Sequence, residues 1–243
     1  MTQKRSNSLP SGFLPCLAAA TCLALTGCAS GGGGSAGSAP SAGAPTTEGA
    51  EAGEGAGDYV QADVNFMQGM IHHHAQAVVM ARMAPTRAGS PGVRRLTSRI
   101  LNSQKTEISV MSDWLRDRGE SVPEIAALAR DTSEDGRAYG PGNPGPIQGW
   151  DEGPQMAGIL SDARMRELDA ARGEEFDRLF LEYMIEHHEG AVTMVENLVA
   201  SPGGAREESV FRLASGIRSD QAMEIDRMRQ MLREQMFGSG SRR

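Results

Sequence analysis

The stretch Asp63-Val-Asn-Phe66-Met-Gln-Gly-Met70-Ile71-His72-His73-His74-Ala-Gln-Ala77-Val78-Val-Met80 returns later in the chain. Its second copy is Asp177-Arg-Leu-Phe180-Leu-Glu-Tyr-Met184-Ile185-Glu186-His187-His188-Glu189-Gly-Ala191-Val192-Thr-Met194. Both copies carry apolar residues three and four apart, the spacing of one helix face rather than the alternation of a strand. A second pair of segments repeats too: Ile100, Gln104, Glu107, Ile108 and Met111 share their spacing with Ile217, Gln221, Glu224, Ile225 and Met228. A repeated helix-then-helix unit predicts two helical hairpins, and four long helices so joined pack as a bundle. The expected fold class is all-α, a four-helix bundle built from two repeated helical hairpins.

Outward from the repeat, local signals set the expected boundaries. Helix one is expected over 58–84. Ser90-Pro91 supplies an N-cap and a first-turn proline for helix two, which runs to about Arg118 and stops at Gly119. A Gly/Pro-rich connection covers 120–160, with room for a short helix at 123–130, and Ser161 opens another that ends near Arg172. Helix three covers 174–200. Ser201-Pro202 repeats the start signal, so helix four should run from there to about Phe237. The domain thus spans 58–237 in halves 58–119 and 161–237, and 238–243 reads as a disordered tail.

A helical wheel puts polar groups where burial is expected. With His73 at 0°, Phe66 falls at roughly 20°, Ala77 at 40°, Met70 at 60°, Asp63 at 80° and His74 at 100°. Helix three repeats this with His187, Phe180, Ala191, Met184, Asp177 and His188, while His72, Glu186 and Glu189 point away and should be exposed. On helices two and four, Glu107 and Gln104, then Glu224 and Gln221, lie within the apolar stripe. Burying such groups unpaired costs several kcal/mol, so they need partners, and the histidines are available. All five histidines of the chain fall in the two copies. Neutral imidazole ligates Cu, Zn, Fe and Ni, and thioethers favour Cu(I). The candidate metal ligands are His73, His74, His187 and His188, with Met70 and Met184. Glu107, Glu224, Gln104, Gln221, Asp63, Asp177, Met80 and Met194 are candidate orienting groups or extra ligands. Each has a plainer reading: methionines fill cores, the aspartates suit helix N-termini, and the arginine-rich faces of helices two and four suit i to i+4 pairs.

The chain's formal charge of −7 over 243 residues argues against nucleic acid as a partner, since phosphates demand a basic surface. No apolar run reaches the ~18 residues of a membrane-spanning helix. The three cysteines stand at 16, 22 and 28, so neither a disulfide scaffold nor a cysteine-rich zinc site is expected in the helical body. Residues 1–27 read as a signal peptide, with Lys4 and Arg5 before the short apolar run Leu14–Leu25. Leu25-Thr26-Gly27-Cys28 resembles the lipobox of bacterial lipoproteins, in which cleavage leaves the cysteine as the lipid-bearing first residue. Cys28 is thus the expected lipidation site, and 28–57, rich in Gly, Ala and Ser, a flexible tether. Without Lys4 and Arg5 the formal charge becomes −9. The expected location is the cell envelope, anchored to a membrane on its extracytoplasmic side.

The segment Gly173-Glu-Glu-Phe176-Asp177-Arg-Leu-Phe-Leu-Glu-Tyr-Met184-Ile185-Glu-His187-His188-Glu-Gly190-Ala191 resembles the bacterial family called domain of unknown function 305. The resemblance covers about 58–237. It implies a ferritin-like four-helix fold, an envelope location and, for some members, copper binding. His72, where the second copy has Glu186, departs from the pattern. So does a thinned methionine-rich stretch that keeps only Met156 and Met165.

Three functions remain open. The first is a copper-binding lipoprotein that sequesters the ion or hands it to an envelope partner, with zinc, iron or manganese as alternative metals. The second is a di-metal Fe or Mn oxidoreductase, which lacks the Glu-x-x-His elements of such sites. The third is an adaptor bundle with a metal-free polar core that fixes helix register.

Overall fold

A computed structural model describes residues 59–130 and 147–238. The expected signal peptide, Cys28 and the tether lie outside the described residues, as does the chain after Gly238. The helices are α1 (Gln61–Arg87), α2 (Pro91–Asp117), α3 (Ala127–Arg130, entered through a 3₁₀ turn at Glu124–Ala126), α4 (Asp162–Ala170), α5 (Gly173–Ala200) and α6 (Glu208–Gly238). No strand occurs among the described residues, and none of their helices is long and apolar enough to cross a membrane.

The four long helices form the expected all-α bundle. α1 packs on α2, α5 packs on α6, and α1 and α5 join the two hairpins. α1 and α5 run antiparallel. The backbones of Ala88 and Gly173 pair at one end, and Val60 touches Gly203 at the other. Phe176, Phe180, Met67, Met70, Ile71, Ile100, Ile108 and Met111 are among the fully buried side chains of the core.

Two equivalent ties hold the hairpins together. Asp63, buried in the first turn of α1, accepts from Val60 N at 3.0 Å and from Ala205 N at 2.8 Å. Asp177 of α5 accepts from Gly89 N at 3.1 Å and Ser90 N at 2.6 Å. Asp63 thus caps its own helix and clamps the loop of the second hairpin, while Asp177 clamps the loop of the first. Both loops present bare amides that would otherwise be buried without partners.

Ser90 caps α2 as expected, its side chain accepting from Gly92 N at 3.0 Å. Ser201-Pro202 does not repeat the device. Gly203 and Ala205 adopt positive φ, 81° and 55°, so the chain turns there and α6 starts only at Glu208. α1 continues through Pro85 to Arg87, past the expected end at 84.

The distal part of the 120–160 connection lies against the helices as a strap. Asp162 accepts from Gly149 N at 2.9 Å and Trp150 N at 2.8 Å. Gln76 of α1 grips Leu160 from both sides, donating to its carbonyl at 3.0 Å and accepting from its amide at 2.8 Å. Gly190 of α5 makes the approach possible, because a Cβ there would stand 2.1 Å from the Ala157 oxygen. Trp150 is buried in the strap with its ring edge-on to His72 at 6.3 Å. His72 is therefore half-buried rather than exposed: the strap, invisible to a helical wheel, covers that face. Glu186 and Glu189 are exposed as expected.

Candidate metal centre

His73 and His74 on α1, and His187 and His188 on α5, are all fully buried. The 100° step between the neighbours of each dyad puts one ring at the α1–α5 seam and aims the next at the outer helix of its own hairpin. His74 Nε2 lies 2.6 Å from Glu107 Oε2 of α2, and His188 Nε2 lies 2.7 Å from Glu224 Oε2 of α6. These are the carboxylate–imidazole partners that burial demanded. The Glu107 and Glu224 side chains keep 14% and 20% of their surface exposed, so these pairs connect the buried rings to solvent. At the seam the His73 and His187 ring centroids stand 3.8 Å apart. His73 Nε2 lies 3.1 Å from the carbonyl oxygen of Ala157 in the strap.

Those partners dictate the tautomers. A carbonyl oxygen only accepts, so neutral His73 carries its proton on Nε2 and bares the Nδ1 lone pair. The same holds for the neutral rings of His74 and His188 against their carboxylates. In the structure Nδ1 of His73, His74 and His188 is buried without a partner, as are both ring nitrogens of His187. Gln104 Oε1 and Gln221 Oε1 are likewise buried and unpartnered, so the expected amide–imidazole bonds are not formed.

Burial, reinforced by the nearness of two further imidazoles, His74 and His188, pushes His73 down to about 3. Burial and the surrounding histidines hold His187 well below the ordinary imidazole range. Both rings are neutral at physiological pH, the state a metal requires. Folding the metal-free protein therefore excludes protons that the unfolded chain binds below pH 6.5. Its stability should be level above that pH and fall on acidification from 6.5 toward 3, by up to about 1.4 kcal/mol per pH unit for each ring. Urea midpoints across this range check the expectation. A leucine double variant at His73 and His187 should flatten the slope, and an unchanged slope would contradict it.

The other candidates separate by position. Met70, Met184 and Met80 are buried in the core, while Met194 is half-buried beside Met156. The Met194 Cε and Met156 Sδ each stand 3.4 Å from where a Cβ on Gly69 would be. Asp63 and Asp177 are engaged by backbone amides at the bundle ends and are not brought to the histidines. Among the described residues no three His, Cys, Asp or Glu side chains converge on one point. Closing a coordination shell therefore needs ring rotation or thioether ligands.

Sequence reasoning missed the Ala157 carbonyl, which carries no residue-type signal, and Asp220. The latter was legible: it stands one turn before Glu224 on the same face of α6. Burial and the charges of Glu107 and Glu224 raise its carboxyl above the ordinary range.

Comparison with known proteins agrees with this architecture. The model for "Domain of unknown function (DUF305)" matches residues 63–232. A DUF305 fragment from Deinococcus radiodurans is 29% identical, covers 71% of this chain and 96% of its own, and superposes with a TM-score of 0.54. A putative secreted DUF305 protein from Streptomyces coelicolor is also 29% identical, with 71% and 93% coverage and a TM-score of 0.54. CopM in its Cu(II)-bound form is 26% identical, with 71% and 96% coverage and a TM-score of 0.51. The chain spans only 37% of the length of the curated relative it matches, the uncharacterized protein L153 of Acanthamoeba polyphaga mimivirus, at 34% identity over 56 residues. With the family model covering the helical body from α1 into α6, the chain belongs to the DUF305 family.

Proposed function

We propose that this protein binds copper outside the cytoplasm, held to a membrane by lipid on Cys28, and stores the ion or passes it to another envelope protein. One observation carries the reading: five imidazole nitrogens are buried with no protein partner. Leaving a buried polar group unsatisfied costs about 1–3 kcal/mol, and a metal would use the four lone pairs among them, one from each neutral ring. His73, His74, His187 and His188 would hold the ion, with Glu107 and Glu224 fixing the tautomer and raising the basicity of two of the rings. Buried Met70 and Met184 offer thioethers on the same helices, which suits Cu(I). CopM, similar over most of its length, is a protein solved with copper bound.

The polar-core alternative leaves the same nitrogens unexplained, because a metal-free network would satisfy its own members. A di-metal carboxylate site is short of ligands, since Asp63 and Asp177 already accept backbone bonds.

The test is a metal count. Protein without a polyhistidine tag is exposed separately to Cu(I), Cu(II), Zn(II) and Fe(II), desalted, and measured by elemental mass spectrometry. Copper retained in stoichiometric amount is the expected result. Paired iron, or no metal on a folded helical protein, would overturn the reading.

A further inference from the structure

The strap covers the seam histidines on one side of the bundle. On the other, α2 and α6 face each other across a groove of about 400 Å³. Glu224, which holds His188, lines it, together with Asp220 and Met223. The groove is thus one side chain away from the buried imidazoles. Met223 is 61% exposed, a thioether held in water at the mouth.

The rim has the opposite charge. Arg99 and Arg227 line this groove and also a neighbouring concavity of about 540 Å³, where Arg94 and Arg95 join them. Elsewhere helix-surface pairs form: Arg212–Glu208 on α6, as expected, and Arg178–Glu182 on α5. Among the described residues, no carboxylate lies within ion-pair distance of Arg95, Arg99 or Arg227; the contact of the last is Gln230, at 3.2 Å. A cluster of unpaired guanidiniums on a chain of formal charge −7 stands out from its surroundings.

Such a rim repels a free cation and attracts an acidic surface, orienting it against an otherwise negative molecule. We infer that the α2–α6 groove is the docking surface for an acidic partner protein that exchanges copper here. The partner's carboxylates would pair with Arg95, Arg99 and Arg227, and Met223 would offer a soft ligand between the partner and the His188–Glu224 pair. The exchange replaces one set of lone pairs on Cu(I) by another, and no electron moves. This inference rests on the copper reading above.

Two chelators with one metal-binding nucleus but different charge test it: neutral neocuproine and anionic bathocuproine disulfonate, each added to the Cu(I)-loaded protein. The anionic chelator should remove copper at least ~10-fold faster than the neutral one at low salt, an advantage that fades as salt rises. The R95A/R99A/R227A variant should lose that advantage without changing the neutral rate, and R95K/R99K/R227K should restore it. Rates indifferent to chelator charge, or unchanged in the alanine variant, would overturn the docking inference while copper binding stands. If the wild-type protein retains no copper before chelator is added, the copper reading falls and this inference with it. Arginine-dependent binding to phosphatidylglycerol vesicles, without a charge effect on chelator rates, would overturn the acidic-protein assignment in favour of a lipid surface.

Discussion

Changing Glu107 and Glu224 to glutamine is expected to weaken copper binding by ~10–100-fold for each carboxylate replaced, with helix content unchanged. Glutamine keeps the shape and can still accept from an imidazole N–H, so the ring orientation survives. The negative charge does not, and with it goes the push that makes the opposite ring nitrogen a stronger base. The two pairs are equivalent, at 2.6 and 2.7 Å, so the single variants should lose comparable affinity. Competition against a Cu(I) chelator measures the change, and circular dichroism monitors the fold. Affinity within twofold of wild type in the double variant would show that the carboxylates only satisfy buried imidazoles.

Gly190→Ala is expected to destabilise the metal-free protein by about 3 kcal/mol. The new Cβ would stand 2.1 Å from the Ala157 oxygen and 2.6 Å from the Gly158 Cα, both backbone atoms, so the strap must lift. Lifting it breaks the Ala157–His73 bond and strains the grip of Gln76 on Leu160. Gly216→Ala is the control, because a Cβ there meets nothing within 4 Å. That change should stabilise α6 by ~0.5–1 kcal/mol. Urea unfolding compares the two, and equal midpoints would contradict the strap's role.

The strap also marks where sequence reading stopped. The repeat and its 3.6-residue period led directly to two hairpins, and the wheel put the histidines, Glu107 and Glu224 on buried stripes, because local periodicity sets those phases; which ring meets which carboxylate, His74 with Glu107 and His188 with Glu224, came only from the packing of the helices. Residues 147–160 have no period. Their position follows from a non-local fit between Gly190, Gly158 and the Ala157 carbonyl, which no spacing encodes. His72 was misjudged for the same reason, since its cover comes from Trp150. Ser201-Pro202 carried a sound start signal that lost to Gly203 and Ala205, whose left-handed backbone turns the chain first. Asp63 stands in the first turn of α1 and Asp177 just past the first turn of α5, yet their clamps on Ala205 and on Gly89 and Ser90 join segments distant in sequence. The wheel also gave Gln104 and Gln221 partners they do not have, because sharing a buried face does not bring two groups within bonding distance.

The central claim is that four buried imidazoles hold the metal. It is tested most directly by counting copper per chain in the wild-type protein beside a variant with His73, His74, His187 and His188 all changed to alanine. Both are loaded with Cu(I), desalted and shown to be helical. The account predicts stoichiometric copper on the wild type and none on the variant. Equal copper on both would contradict it and place the ion elsewhere.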